Sequence, residues 1–239
     1  MNAEGRNAVR EAVNSDKTID KVIIQNGLRD EPSRQLISEI RESGVKFSFA
    51  DKAVLDKMSS TKKHQGFIAV LSEFVYSDLE EIIETCVNEK KPIVVLDGIE
   101  DPHNLGSIIR VCECGGVSGI VIGKRRQAPV SDTVIRISEG SAAHVKIARV
   151  TNINTALKTI KDNNVFVFSL ELGGGNIYKT NLTGNVAIVI GGEDSGVNSL
   201  TQKLSDGVIT IPMLGKINSL NASVAAGIAV FEALRQKLG

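Results

Sequence analysis

The 239-residue sequence has no tryptophan, only 4% aromatic residues, five prolines and three cysteines, and it carries no net charge, with 28 Lys/Arg against 28 Asp/Glu. Each scarcity excludes something. Few aromatics against 42% hydrophobic residues mean an aliphatic core. Neutrality argues against a protein held to nucleic acid by bulk electrostatics, while leaving room for a local basic groove. Cys86, Cys112 and Cys114 are an odd number without a framework, as expected in a reducing compartment. Cys112-x-Cys114 is too close for most zinc patterns and has no matching pair, so buried thiols are expected rather than a metal site. No apolar run approaches the length of a membrane span, and the N-terminus lacks a signal-peptide apolar region. A soluble cytoplasmic protein without metal is the expectation. There is no G-x-G-x-x-G opening the first helix and no P-loop, so dehydrogenase and NTPase readings lose their main signal.

Residues 1–73 alternate short helices and strands. Val22–Ile24, Val45–Phe49 and Phe67–Leu71 read as strands, and a helix begins near Pro32-Ser33. The turn Lys62-Lys63-His64-Gln65-Gly66 reads as an exposed basic loop, either solvated or in contact with RNA. Residues 74–91 form a linker helix with Leu79, Ile82, Ile83 and Cys86 on one stripe. From residue 92 to 239 the pattern is strand–helix–strand. Strands are expected at Ile93–Leu96, Ile120–Ile122, Val145–Ala148, Val165–Ser169, Val186–Ile190 and Val208–Ile211. The fold class is therefore α/β: a mostly parallel sheet with helices on both faces, behind a small N-terminal α/β domain. Leu172-Gly173-Gly174-Gly175-Asn176 reads as a wide turn, or as a close approach to a ligand.

Two successive strands end in polar, glycine-rich loops. Val186–Ile190 runs into Gly191-Gly192-Glu193-Asp194-Ser195-Gly196. Val208–Ile211 runs into Pro212, Met213, Gly215 and then Asn218-Ser219-Leu220-Asn221. Ligands of open α/β sheets sit outside the carboxyl ends of strands, so the two loops point to one pocket. After Ile93–Leu96, Asn104 suits a helix N-cap, and Arg110 lies about two turns further on. A helix start with a nearby arginine suits a phosphate, although the plainer reading pairs Arg110 with a surface carboxylate. Glu193 either binds a hydroxyl or cation, or caps a turn. Capping accounts for one of Ser219 and Asn221, not both. The alanine stripe of the last helix reads as tight packing, with a second subunit as one candidate neighbour. Lys124-Arg125-Arg126 is the strongest basic cluster, either solvated or an RNA-backbone contact. His64, His103 and His144 have no Ser or Cys partner suggesting a nucleophilic triad.

LDGIEDPHNLGSIIRVCECGGV, IVIGGEDSGV and IPMLGKINSLNASVAAGIAVFEALRQ together resemble, in order and spacing, the three motifs of the SpoU (TrmH) RNA ribose methyltransferases. The likeness covers residues 92–237. Gly5-Arg6-Asn7-Ala8-Val9 and His64-Gln65-Gly66 resemble the family's substrate-binding domain, which is similar to ribosomal protein L30e. The resemblance implies a deep trefoil knot (the SPOUT fold), an S-adenosylmethionine site and a homodimer packed through the knotted region. It implies 2′-O-methylation of RNA, and the two-domain layout points to a guanosine of 23S rRNA; a tRNA target and a catalytically idle RNA-binding protein are the alternatives. By motif match, Asn104, Arg110, Glu193, Ser219 and Asn221 would serve catalysis. Gly191, Gly192, Ile211, Pro212, Met213 and Leu220 would hold the cofactor. Arg6, Asn7, His64, Gln65, Lys124, Arg125 and Arg126 would meet RNA.

Overall fold

The computed structural model describes residues 2–15, 18–72, 74–192, 196–216 and 219–239. The chain divides into two compact units, residues 1–75 with 129–132, and residues 76–128 with 133–239.

In chain order the first unit contains β1 (Asn2–Glu4), α1 (Arg6–Asn14), β2 (Ile19–Gln25), α2 (Glu31–Glu42), β3 (Phe47–Ala50), α3 (Lys52–Met58) and β4 (Phe67–Leu71). Its sheet has the order β1-β4-β2-β3. β2 and β3 run parallel; β4 is antiparallel to β1 and β2. Val9, Val22, Ile24, Leu36, Ile40 and Phe67 form its main core. Asp30 caps α2 by accepting the Ser33 N–H at 3.1 Å, with Pro32 in the first turn, where its missing N–H costs nothing. The short edge strand β1 lies outside the sequence expectation because three residues carry no period.

The second unit contains α4 (Leu79–Glu89), β5 (Ile93–Asp97), α5 (Pro102–Cys114), β6 (Gly119–Gly123), α6 (Asp132–Ile137, whose first residue counts with the first unit), β7 (Ile147–Val150), α7 (Ile153–Asp162), β8 (Phe166–Asn176), β9 (Val186–Gly191), α8 (Ser199–Leu204), β10 (Gly207–Thr210) and α9 (Ala222–Leu238). Its sheet, in the order β10-β8-β9-β5-β6-β7, is parallel throughout its described pairs. Ile93, Val95, Val121, Ala187 and Val189 share one core with Ile82 and Ile83 of α4 and Leu157 and Ile160 of α7. The alternate residues Val94, Leu96, Ile120, Ile122, Ile188 and Ile190 are also buried, on the opposite face by strand alternation. Strands covered on both faces read as continuous aliphatic runs, which is why they were legible.

The structure corrects the sequence expectation at several places. The Gly triplet is part of β8, not a turn. Val208 of β10 pairs with Ser169, yet Ile209 pairs with Gly175, so residues 170–174 leave the β10 ladder. A Cβ on Gly174 would lie 2.3 Å from the Val208 carbonyl oxygen, so this approach needs glycine. The cap of α5 is Asp101, which accepts the His103 N–H at 3.0 Å; Pro102 follows, and Asn104 lies inside the helix. Cys114 is exposed while Cys86 and Cys112 are buried. Burial pushes the Cys86 thiol up to about 11 and raises Cys112 as well, so both stay protonated and inert. The alanine stripe of α9 meets α5 of its own chain: Ala226, Ala229, Val230 and Ala233 are buried, and Val230 sits against Gly115.

Candidate active site

The site grows from the carboxyl ends of the central strands. β5 ends at Asp97, whose Oδ2 accepts the Asn198 N–H at 3.0 Å. The Gly192 N–H donates to the Asp97 carbonyl at 3.1 Å, and Gly192 also bridges to Gly196. A Cβ on Gly191 would lie 2.1 Å from the Gly196 carbonyl carbon, and one on Gly192 would lie 2.3 Å from Gly98 O. Gly191 therefore lets the chain approach its own Gly196, and Gly192 lets it approach the backbone that follows β5. Glu193 lies outside the described residues.

A cavity of about 280 Å³ opens beside these glycines, close to the lower end of the ~300–1,000 Å³ range of small-molecule sites. Gly191, Gly192, Ile211, Met213 and Leu220 line it, as does Ser219. Pro212 is exposed beside it and does not line it. Leu170, Leu172, Ile190, Ala222 and Ala225 complete the apolar wall. Glu171 and Thr210 also line the cavity, and sequence reasoning passed over both. Glu171 lies within β8, beyond the strand expected at Val165–Ser169, at a position that no sequence pattern marked.

α9 begins where the cavity wall ends. Asn221 caps it, its Oδ1 accepting the Ser223 N–H at 2.9 Å and the Val224 N–H at 3.4 Å. Its Nδ2 donates to Asn104 Oδ1 at 2.9 Å. One side chain therefore caps α9 and ties it to α5, so capping and site-building coincide in Asn221. Arg110 lies further along α5, with Nη1 2.9 Å from Glu139 Oε1. The ion pair is open to solvent, the side chains being 53% and 65% exposed. The plainer sequence reading of Arg110 thus describes its resting partner. Glu139 itself holds a left-handed backbone, φ 49°, which sequence gave no reason to expect.

The basic candidates fall in both units. In the second, Lys124, Arg125 and Arg126 follow β6; Arg125 and Arg126 are exposed. In the first, the Gln65 side-chain oxygen accepts the Arg6 N–H at 3.3 Å, and the Arg6 guanidinium pairs with Asp30 at 2.8 Å. Asn7 and Gln65 are exposed. His64 departs from the expected exposed turn: it is buried, with Nε2 3.0 Å from Asp56 and Nδ1 accepting the Gly66 N–H at 3.0 Å. That acceptor role places the ring proton on Nε2, and the ring braces the turn that displays Lys62, Lys63 and Gln65. Among the described residues no cluster suits a metal ion, and no helix is long and apolar enough to cross a membrane.

Residues 91–231 match the model of the SpoU rRNA Methylase family, and residues 3–77 match that of the RNA 2′-O ribose methyltransferase substrate-binding domain. A relative from Staphylococcus haemolyticus, placed in the TrmH family of tRNA/rRNA methyltransferases, is 36% identical over 236 residues, covering 98% of this chain and 94% of its own. Two solved structures share the fold. The SpoU methyltransferase AviRb from Streptomyces viridochromogenes, in complex with AdoMet, has a TM-score of 0.65 at 23% identity and covers 100% of this chain and 91% of its own. The AdoMet-bound rRNA methyltransferase from Sinorhizobium meliloti has a TM-score of 0.63 at 24% identity, with coverage of 100% and 88%.

Proposed function

We propose that this chain, which belongs to the SpoU rRNA Methylase family, methylates the 2′-hydroxyl of a ribose in RNA with S-adenosylmethionine as donor. The observation that carries this reading is the Asn221–Asn104 hydrogen bond of 2.9 Å. It joins the helix that closes a small-molecule cavity to the helix that bears an exposed arginine.

The cavity fits the cofactor. Its apolar wall suits an adenine, and Ile211 and Leu220 would flank the ring. Gly191, Gly192, Pro212 and Met213 belong to the strand-end loops that would hold the remainder. When bound, the cofactor supplies an electrophilic methyl group on a sulfonium. The chain's own residues must then place a ribose hydroxyl in line with that methyl and steady the charge that develops as its proton leaves. Arg110 suits the second task. A guanidinium stays protonated, so it serves as a phosphate clamp and alkoxide stabiliser rather than as a base. An exposed ion pair of the Arg110–Glu139 kind is worth only ~0–1 kcal/mol, so an RNA phosphate can replace the Glu139 carboxylate. Asn104, Asn221, Ser219 and Glu193 are assigned to holding Arg110 and the ribose.

The finer reading is an RlmB-like enzyme acting on a guanosine of 23S rRNA in the cytoplasm, with residues 1–73 as the RNA-binding domain, 74–91 as linker and 92–239 as the methyltransferase. Arg6, Asn7, Gln65, Lys124, Arg125 and Arg126 are its proposed RNA contacts, with His64 as their brace. The proposal includes the trefoil knot and a homodimer. Support for the dimer comes from α9, where Val224, Phe231 and Leu238 recur every seventh residue and are 49%, 48% and 79% exposed. That spacing keeps them on one helix face. The target is tested by offering labelled S-adenosylmethionine with undermethylated large-subunit rRNA and with tRNA in parallel. Label in rRNA alone supports the finer reading; label in tRNA alone replaces the target and keeps the chemistry.

A further inference from the structure

Glu171 is the one charged side chain among the described residues that line the cavity. It follows Leu170, the last β8 residue paired with β9, and stands where β8 leaves the β10 ladder. Its carboxylate is held from one side: Oε1 accepts the Val197 N–H. Gly196 sits hard against it, since a Cβ there would lie 2.3 Å from Oε1. Its other oxygen takes no hydrogen bond among the described residues. The neighbouring hydroxyl cannot serve it, because Thr210 Oγ1 donates to the Glu171 carbonyl and accepts the Gly174 N–H at 2.7 Å. A fixed carboxylate whose second oxygen has no partner among the described residues, in a recess whose other described walls are aliphatic side chains, glycines and hydroxyls, is stabilised most by a cation.

We infer that Glu171 is a cofactor-selectivity residue: its open oxygen faces the sulfonium, so the cavity prefers the cationic methyl donor to the neutral thioether left after transfer. This rests on the S-adenosylmethionine reading above. Both molecules share the adenosine and the amino-acid tail and differ at sulfur by one methyl and one positive charge. A carboxylate near that sulfur separates them, whereas a carboxylate spent on the ribose diol or the α-ammonium does not. The selectivity lets fresh donor displace spent product without any change in the apolar wall.

Calorimetric titration of the full chain tests this with three ligands: S-adenosylmethionine, S-adenosylhomocysteine and sinefungin, which carries an ammonium near the sulfur position and no transferable methyl. The wild type should bind the two cations about tenfold more tightly than the thioether, the small part of the Coulomb attraction that survives the desolvation of both charges. Glu171→Gln keeps an acceptor for the Val197 N–H and removes the charge. It should bind the thioether about as well as the wild type and lose the cation preference. Equal weakening of all three ligands, or an unchanged preference, overturns the inference. Should the glutamine variant fail to fold, Glu171→Asp decides: a shortened reach must shrink the cation preference while thioether binding holds, and an undiminished preference overturns it. A wild type that binds none of the three overturns the cofactor reading and the inference with it.

Discussion

Arg110 has two partners to choose between. Its guanidinium rests 2.9 Å from Glu139; on the proposed reading a backbone phosphodiester, singly charged like the carboxylate, takes its place through the same kind of charge-assisted hydrogen bond. Arg110→Ala should therefore abolish methyl transfer while the cofactor still binds, because no described atom of Arg110 lines the cavity. Loss of cofactor binding in a folded Arg110→Ala protein, measured by calorimetry, would contradict the role. A second residue-scale prediction concerns Glu4 in the first unit. Its carboxylate accepts the Ser59 hydroxyl at 2.6 Å, the Ser60 N–H at 2.8 Å, the Ser60 hydroxyl at 2.9 Å and both donors of Thr61. These bonds, led by that of Ser59, hold its pKa at about 2 instead of 4.5. A folded-state pKa below the unfolded one gives stability that is present above about 4.5 and lost as pH falls toward about 2. Denaturant unfolding of wild type and Glu4→Gln should thus differ most near neutrality and converge at about pH 2. A constant gap would count against the carboxylate as the cause.

Legibility at this scale followed chain-local chemistry. Arg110, Asn221 and the strand-end glycines stood out because their neighbours in sequence already marked strand ends and helix starts. Asn104 stood out too, but as a cap, a task that Asp101 and Pro102 perform better. Glu139 and Glu171 were not legible. One depends on a left-handed backbone, and the other on a register shift that carries residues 170–174 off the β10 ladder.

Among elements, the α5–α9 packing is the most exacting contact behind the site, since it holds Asn104 beside Asn221. Gly115 ends α5, where an added Cβ would lie 2.2 Å from Val230 Cγ1. Valine has little rotameric freedom in a helix, so it cannot swing away cheaply. Gly115→Ala should destabilise the chain by about 1–3 kcal/mol through overpacking. Val230→Ala alone should also cost about 1–3 kcal/mol by leaving a void. The double variant should cost clearly less than the sum, since each change relieves the other. Additive losses in chemical denaturation would show that the two residues do not meet. The sequence announced close packing through its alanines and glycines, but it held no sign of which helix lay opposite. That partner is fixed by the parallel sheet, whose long-range order no local pattern encodes.

For the whole molecule, the apolar row on α9 argues for a second copy. Phe231→Asp should convert the proposed dimer into a species near the chain mass of 25.6 kDa in light scattering, because a charge placed in the proposed apolar interface is left without a partner. An unchanged mass would remove α9 from the interface. Only the change of pattern in the helix-forming stretch after Ser72 was visible in the sequence; composition marked no boundary. The return of residues 129–132 to the first unit was not visible, because it is a contact between segments distant in sequence.

The most direct measurement is the chemical position of the transferred methyl. RNA labelled by the wild type from S-adenosylmethionine is digested to nucleosides, and the labelled species are separated by chromatography and mass spectrometry, with Arg110→Ala as control. The predicted result is label on a ribose 2′-oxygen, in 2′-O-methylguanosine, and none with the variant. Label on a base, or equal labelling by wild type and Arg110→Ala, would contradict ribose methylation at this site.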